Sequence, residues 1–580
     1  MTKIWKLRPL SPLAPLLAQR MDLPLPAAQV LINRGISEEA SARDFLNPRL
    51  SEITDPSLLV DMDRAVERII YAIEHRRRIT IYGDYDADGL TATALLLNLF
   101  SRLGIPVSYY VPDRLEEGHG LNREAIRKIS MAGAGVVITV DCGTGDREEI
   151  ELAERLDLHM VITDHHQVPD DFQIECPFVN PHRNGSSSPF GPLCGVGVAF
   201  FLAIALRRKL RKCGWFKHRA EPDLRAFLDL VALGTIADMV PLVGLNRVLT
   251  KTGIERMKTF HRPGFEALRE ITGIDPSSLG SDDLAFKFAP RINASGRLGD
   301  AGSGIRLLTT DRLSVARELA RHLSKLNSMR QDLERAIFEE IEEKYISTSD
   351  LKGRKTLLFS GKGWHKGVLG IVASRLMEKY HRPVLLLSLQ DGMATGSARS
   401  IEGFSLHRAL ARVSHLLDHY GGHDRAAGLT LKTSNIRTLS EEIERMAWES
   451  LGDSEPAPCL EIDAEVPLHA LDLETVKRLE DLSPFGSGNP SPLFYSPGLT
   501  VLESAIVGER HLKLKVRQAG EIREAIGFGL APYHPLDIGT SIHLVHTPGI
   551  HYWQGRGRVQ LRVVDLEIGN GDAKRLVRKP

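Results

Sequence analysis

The chain has 580 residues, 42% hydrophobic and 26% charged, too long for one hydrophobic core and long enough for roughly three or four domains. Its 74 Lys and Arg balance 74 Asp and Glu, which excludes nucleic-acid binding through bulk charge and leaves only local patches for it. Five scattered cysteines with no C-x-x-C pair exclude a disulfide framework and give no zinc site. No apolar run reaches the length of a membrane span, and the proline-broken N-terminus shows no signal-peptide h-region, so a cytoplasmic location is expected. Residues 1–75 read as a helical, proline-punctuated segment with a helix over Asp61–Arg76. From Ile79 the texture changes. Arg78–Tyr82, Gly135–Val140 and His159–Thr163 are nearly all-apolar, β-branched strands, with helices over Leu90–Leu103 and near Arg147–Leu156. That alternation predicts α/β architecture with a parallel sheet covered on both faces.

Two apolar helical stretches follow, Gly195–Leu210 and Asp223–Leu233. Between Arg312 and Tyr345 apolar residues recur at helical spacing (Ala316, Leu319, Leu323, Leu326, Met329, Leu333, Ile337, Ile341) without Pro or Gly. This predicts one long amphipathic connecting helix of about nine turns. A second α/β unit is read in strand Thr356–Phe359, helix Gly367–Tyr380, strand Val384–Ser388 and a strand over Ala394–Ala398. Residues 453–459 read as a linker. Beyond Pro484, short strands over Leu499–Ile506, His511–Val516, Ala525–Gly529, Ser541–His546 and Gly557–Leu566 predict a small C-terminal β-barrel.

The chemistry is concentrated where the three early strands end. After Tyr82 stands Gly-Asp84-Tyr-Asp86-Ala-Asp88-Gly; after Val140, Asp141; after Thr163, Asp164-His165-His166. Ligands bind at the carboxyl ends of parallel strands, so carboxylates and imidazoles converge there. Unneutralised carboxylates at close range repel one another and take up protons. One or two divalent cations resolve the conflict: oxygen ligands suit Mg²⁺ or Mn²⁺, and imidazole tilts the choice toward Mn²⁺. A further isolated acid, Asp238, ends the Gly234–Asp238 stretch and can complete the ligand set of a second metal. A pair of such ions activates water and stabilises both the attacking and the leaving oxygen of a phosphodiester. Asp141, alone at its strand end, is the best-placed bridging ligand. One acidic turn after one strand is usually a solvated loop or a helix cap; three in succession are improbable by coincidence.

These ordered motifs resemble those of the DHH phosphoesterase family, and within it the branch of single-strand-specific 5′-to-3′ exonucleases. The resemblance extends through Leu230–Pro241, Pro290–Leu298, Trp364–Arg375, Gly396–Ser400, Gly421–Gly428, Pro484–Pro490 and Gly508–Lys513, and covers roughly residues 50–566. It implies Asp86, Asp88, Asp141, His165 and Asp238 as ligands of two Mn²⁺ or Mg²⁺ ions, with Asp84 close by. Tyr82 stands where smaller members carry a His, so the division among Asp84, Asp86 and Asp88 stays open. His166 is implied to assist at the phosphate, or to position the metal ligands, beside the catalytic Asp141 and His165. The second lobe is implied to be a DHH-associated domain in which Ser397, Arg399 and His423 grip substrate, as can His365. Arg291 and Arg297, in a Gly/Asn-containing loop, are further phosphate candidates.

The last stretch resembles an OB-fold. Residues 501–580 hold 12 Lys and Arg against 8 Asp and Glu. Arg510, Lys513, Lys515 and Arg517 cluster on one candidate strand, with Tyr552, Trp553, Arg556 and Arg558 later; the Lys-x-Lys-x-Arg alternation puts Lys513, Lys515 and Arg517 on one side of it, as a groove for a single strand would require. The expected division is an N-terminal helical segment (1–75), a DHH catalytic domain (76–311), the connecting helix (312–346), the DHH-associated domain (347–452) and an OB-fold (453–580). The expected function is a single-stranded DNA exonuclease of repair and recombination, monomeric, served by a helicase and a single-strand-binding protein. Alternatives are a phosphodiesterase of short oligonucleotides or cyclic dinucleotides, for which the barrel has no use, and an inactive Cdc45-like replication scaffold, in which acids would be missing.

Overall fold

Ile79-Thr-Ile-Tyr82, Val136–Thr139 and His159–Thr163 are buried at almost every position, the condition of strands covered on both faces. In the structure, a computed structural model, they are the centre of a five-stranded parallel sheet. Its strands are β1 (Ile79–Tyr82), β2 (Val107–Tyr110), β3 (Val136–Thr139), β4 (His159–Thr163) and β5 (Phe178–Val179), in the order β2-β1-β3-β4-β5. The structure describes residues 3–114, 116–169, 171–183, 188, 190–259, 261–346, 353–453, 457–553, 556–569, 571 and 573–578, without the side chains of Tyr552 and Trp553. Edge strands β2 and β5 are additions to the sequence reading. β2 is partly exposed at every position, and β5 is only two residues long, so neither presents the apolar run by which a buried strand is recognised.

The chain forms two compact units. The first comprises Thr54–Asp238 and Thr252–Ala457, the second Thr2–Ile53, Met239–Lys251 and Pro458–Pro580. In the first, helices α1 (Ala87–Leu103), α2 (Gly195–Lys212) and α3 (Leu228–Ala237) accompany the parallel sheet. Helix α4 (Ala289–Leu298) occupies the stretch read as a Gly/Asn-containing loop, which is a correction. The small residues that look loop-like permit close helix packing instead: a Cβ on Gly296 would lie 2.2 Å from the carbonyl oxygen of Tyr85. The long helix α5 runs Leu313–Ile341, extended by a π-helical turn to Ile346. Beyond it a five-stranded mixed sheet has the order β9-β10-β8-β7-β6: β6 (Leu357–Lys362), β7 (Val384–Gln390), β8 (Met393–Arg399), β9 (His419–Gly422) and β10 (Ala426–Lys432). Helix α6 (Lys366–Tyr380) connects β6 to β7.

The second unit contains the barrel. Its strands are β11 (Ala464–Glu465), β12 (Phe494–Val507), β13 (His511–Gln518), β14 (Glu521–Gly527), β15 (Ser541–Trp553) and β16 (Arg556–Ile568). The order β12-β13-β14-β16-β15 closes through a β12–β15 pairing, giving the five-stranded barrel expected of an OB-fold. The N-terminal segment is not wholly helical. Ile4–Leu7 is a strand, paired in parallel with both Cys459–Ile462 and Leu576–Arg578, and the indole of fully buried Trp5 donates to Asp565 at 2.9 Å. Arg247 adds the 239–251 segment to this unit. Its buried guanidinium donates to the carbonyls of Phe45 and Leu482 at 2.8 Å and of Ser483 at 2.9 Å. Among the described residues no helix is long and apolar enough to cross a membrane.

Candidate metal centre and nucleic-acid contacts

The carboxyl ends of the adjacent strands β1, β3 and β4 deliver the three motifs to one edge of the sheet. Asp86 is the N-cap of α1, its Oδ1 accepting from the amides of Asp88 (2.9 Å) and Gly89 (3.1 Å). This is the arrangement that satisfies free N–H groups at a helix start. Asp88, one residue into the helix, is buried against the start of α2, where the amides of Gly195 and Val196 donate to its two oxygens at 2.5 and 2.9 Å. Asp141 adopts a left-handed backbone (φ 64°), which Asp tolerates better than bulkier residues. Gly195 is required beside it, because a Cβ there would stand 2.5 Å from the Cβ of Asp141.

Within each of two groups, candidate ligand atoms lie within 4.8 Å of one another: Asp84, Asp86 and Asp141; and Asp88, His165 and Asp238. His165 links them. Its Nε2 is 3.0 Å from Asp141 Oδ1, 3.7 Å from Asp238 Oδ2 and 3.8 Å from Asp88 Oδ2. All six acids and imidazoles expected as ligands are therefore brought together, with Asp141 adjoining both groups.

The electrostatics of this cluster are those of a cation site. Burial, then the charges of Asp88 and Asp86, raise the carboxyl of Asp141 well above its ordinary range. Burial and the same two neighbours push Asp238 up to about 9, and burial pushes Asp88 to about 6. Burial lowers His165 to about 4, helped by His166, leaving it neutral at pH 7 as a ligand must be. Asp141 Oδ1 and Asp238 Oδ2 are buried without a hydrogen-bond partner, which is costly unless a cation occupies the space between them. The oxygen-rich donor set with one imidazole fits Mn²⁺ or Mg²⁺.

Asp164 has a different task. Its oxygens accept from the amides of Thr144 (2.8 Å) and His165 (2.7 Å) and from His166 Nδ1 (2.8 Å). Burial opposes its charge most, but the His166 hydrogen bond together with the charges of His166 and His165 outweighs that and holds its carboxyl below the usual range. His166, one-third exposed, is thereby oriented with Nε2 left for a ligand. A third imidazole was not read from the sequence. His119 Nδ1 lies 3.3 Å from Asp84 Oδ1, and its ring is 5.4 Å from that of His166. It follows the unrecognised strand β2, and its only signal is the Gly118-His119-Gly120 run.

The outer contacts divide. Arg297, half-buried on α4, donates from Nη1 to the carbonyl of Gly367 in the second lobe (2.9 Å). Arg291 is tied to Ser324 Oγ (3.0 Å) and the carbonyl of Lys287 (2.6 Å), so it is a helix-to-helix tether rather than the loop arginine expected. His365 caps α6, Nδ1 accepting from the Gly367 amide at 3.1 Å, while Trp364 is buried, as core packing requires. Arg399, at the end of β8, donates to Ser397 Oγ (3.0 Å) and is pushed down in basicity by burial and then by Arg114. His423 is exposed on the β9–β10 turn.

On the barrel, Leu512, Leu514 and Val516 point inward, putting Lys513, Lys515 and Arg517 on the outer face of β13. Lys513 pairs with Glu524 (3.3 Å) and Lys515 with Glu503 (3.0 Å), so that face is less positive than its sequence suggests. Arg510 is exposed in the preceding turn, and Arg556 and Arg558 are exposed on β16. The Tyr552 and Trp553 side chains, expected as stacking platforms, lie outside the described part of the structure.

Three family models match the chain: the DHH family N-terminal domain over residues 78–235, the DHHA1 domain over 353–449 and the RecJ OB domain over 462–565. The single-stranded-DNA-specific exonuclease RecJ of Bacillus subtilis is 34% identical over 563 residues, covering 95% of this chain and 69% of that protein. RecJ of Dickeya dadantii is 36% identical over 561 residues, covering 94% and 96%. Among solved structures, RecJ from Thermus thermophilus in complex with Mn²⁺ is 29% identical, with a TM-score of 0.83 over 98% of this chain and 80% of that one. The Mg²⁺ complex gives 28% and 0.78 over 99% and 79%. With near-complete coverage at this identity, the chain belongs to the RecJ family of single-stranded-DNA-specific exonucleases.

Proposed function

We propose that this chain is a metal-dependent 5′-to-3′ exonuclease of single-stranded DNA, acting in repair and recombination. The observation that carries the reading is the pair of ligand groups at the sheet edge, linked by His165 beside Asp141, with two buried carboxylate oxygens that accept no hydrogen bond. Asp84, Asp86 and Asp141 would hold one Mn²⁺ or Mg²⁺ and Asp88, His165 and Asp238 the other, Asp141 reaching both. Bound there, two such ions polarise the phosphoryl oxygen and lower the pKa of water enough to make it a nucleophile.

The chain's own residues do the rest. Asp164 fixes the ring of His166, so that Nε2 meets a phosphate oxygen at the scissile bond. Arg399, braced on Ser397, offers a guanidinium fork for a neighbouring phosphate, and Arg297 a second from α4; His365 and His423 border the same lobe. The barrel carries Arg510, Lys513 and Lys515 outward, where the backbone of a long strand can be followed. A helicase and a single-strand-binding protein as suppliers of substrate, action as a monomer and a cytoplasmic place of work complete the proposal on the strength of the family resemblance. The test is digestion of 5′-labelled and 3′-labelled single strands with Mn²⁺, beside duplex, RNA and dinucleotide controls. Asp141→Asn should abolish hydrolysis while strand binding persists. Equal cleavage by that variant, or preference for the dinucleotide, refutes the reading.

A further inference from the structure

The long helix α5 carries a polar stripe on its buried side. Asn327 and Glu334 are 4% and 6% exposed, and Glu334 forms an i,i+4 ion pair with the largely buried Arg330 at 3.1 Å. Yet Asn327 Oδ1 and Arg330 Nε find no hydrogen-bond partner among the described residues. A buried ion pair of this quality adds little stability, because desolvation cancels most of the Coulomb attraction, and unsatisfied polar atoms add a further cost. Apolar side chains at these positions would seal the helix better. The stripe must therefore serve something other than packing.

What it faces is α4. Arg297, half-buried there, reaches across to the second lobe through its hydrogen bond to Gly367. Its leading electrostatic neighbours are Arg114 and Arg330, which repel it, and Asp86 and Glu334, which hold it. Asp86 belongs to the metal motif, so Glu334 is the carboxylate among them that stays available whatever the metal site contains. The same side chain acts on Arg330 first, then Arg297, then Arg375 of α6.

We infer that Glu334 is a positioning residue: paired with Arg330, it fixes the guanidinium of Arg297 where α4 meets the second lobe, so that this arginine is set to receive a phosphate of the incoming single strand. The inference rests on the exonuclease reading. It is tested with Glu334→Gln, Arg330→Gln, Arg297→Ala and the Glu334→Gln/Arg297→Ala double variant, on a 5′-phosphorylated single-stranded oligonucleotide with Mn²⁺. Glu334→Gln should raise KM about tenfold with kcat little changed, and leave the thermal midpoint unchanged or higher. Arg330→Gln should do the same, and keeps the test available if the first variant fails to fold. The double variant should be no worse than Arg297→Ala alone, because residues acting through one another are non-additive. A wild-type KM in both glutamine variants, or losses that multiply in the double variant, overturns the inference. An inactive wild-type protein would instead sink the exonuclease reading.

Discussion

Removing one acid from the candidate metal centre should stabilise the metal-free protein, and Asp238→Asn is the substitution that shows it. Its carboxyl is pushed from 3.8 to about 9 by burial and by Asp88 and Asp86. A folded-state pKa above the unfolded one means that the penalty is absent below about pH 4 and grows as pH rises toward 9. At pH 7 roughly three pKa units have been crossed, and at about 1.4 kcal/mol per unit the penalty reaches about 4 kcal/mol. The repulsion is shared with Asp88 and Asp86, so one neutral amide should relieve about half of it, about 2 kcal/mol, or roughly 2–3 °C for a unit of this size. Melting curves of chelator-treated wild type and variant at pH 5 and pH 8 measure this: the variant should gain most at pH 8 and little at pH 5. Mn²⁺ at about a hundred times its Kd should add about 2.7 kcal/mol to wild type and less to the variant. A variant that melts lower at pH 8, or a gain independent of pH, refutes the claim that the acids stand in mutual repulsion awaiting a cation.

Gly195→Ala should cost at least about a hundredfold in kcat, since its methyl would displace Asp141 by contact at 2.5 Å and misplaced reacting groups carry losses of that order; nuclease assays with circular dichroism as the folding control check it. Asp164→Asn should lower kcat about tenfold to a hundredfold, the usual effect of losing the partner that orients a site imidazole, and in wild type the stabilising charge of Asp164 should be lost as pH falls below about 4, because its folded pKa lies below the ordinary one; a variant with unchanged kcat contradicts the orienting role. Lys513→Gln/Lys515→Gln should reduce the slope of log affinity against log salt by about 1.4 on a long single strand, at about 0.7 per phosphate contact, as read by fluorescence anisotropy. An unchanged slope would mean that Glu524 and Glu503 already neutralise these lysines and that β13 does not follow the strand.

What the sequence disclosed depended on whether a residue's role is expressed in its neighbours along the chain. Asp84, Asp86, Asp88, Asp141 and His165 were legible because each ends an apolar strand, and a buried parallel strand announces itself by continuous β-branched residues. Strand β2 fails that rule, since it lies at the sheet edge and is part-exposed throughout, and with it was lost His119, whose place beside Asp84 depends on where β2 ends. The segment carrying Arg291 and Arg297 was misread as a loop for a related reason. Asn, Ser and Gly score as loop residues by propensity, but in α4 Gly296 is small because Tyr85 passes within reach of it, a demand set by a residue over two hundred positions away.

The Lys-x-Lys-x-Arg alternation on β13 was correct about facing and silent about charge, because the glutamates that answer it come from β12 and β14. A β-strand shows in its own sequence which side chains share a face, but not which partners the adjacent strands bring across to them. The same distinction separates the metal ligands from the stripe on α5. Repulsion among acids at a strand end is legible in one dimension, whereas Glu334 looks like any surface glutamate of an amphipathic helix until α4 is laid against it. Residues that touch the reacting atoms are thus more easily read from sequence than those that hold them in place. For that reason the positioning of Arg297, rather than the identity of the ligands, is where the structure adds most to the mechanism.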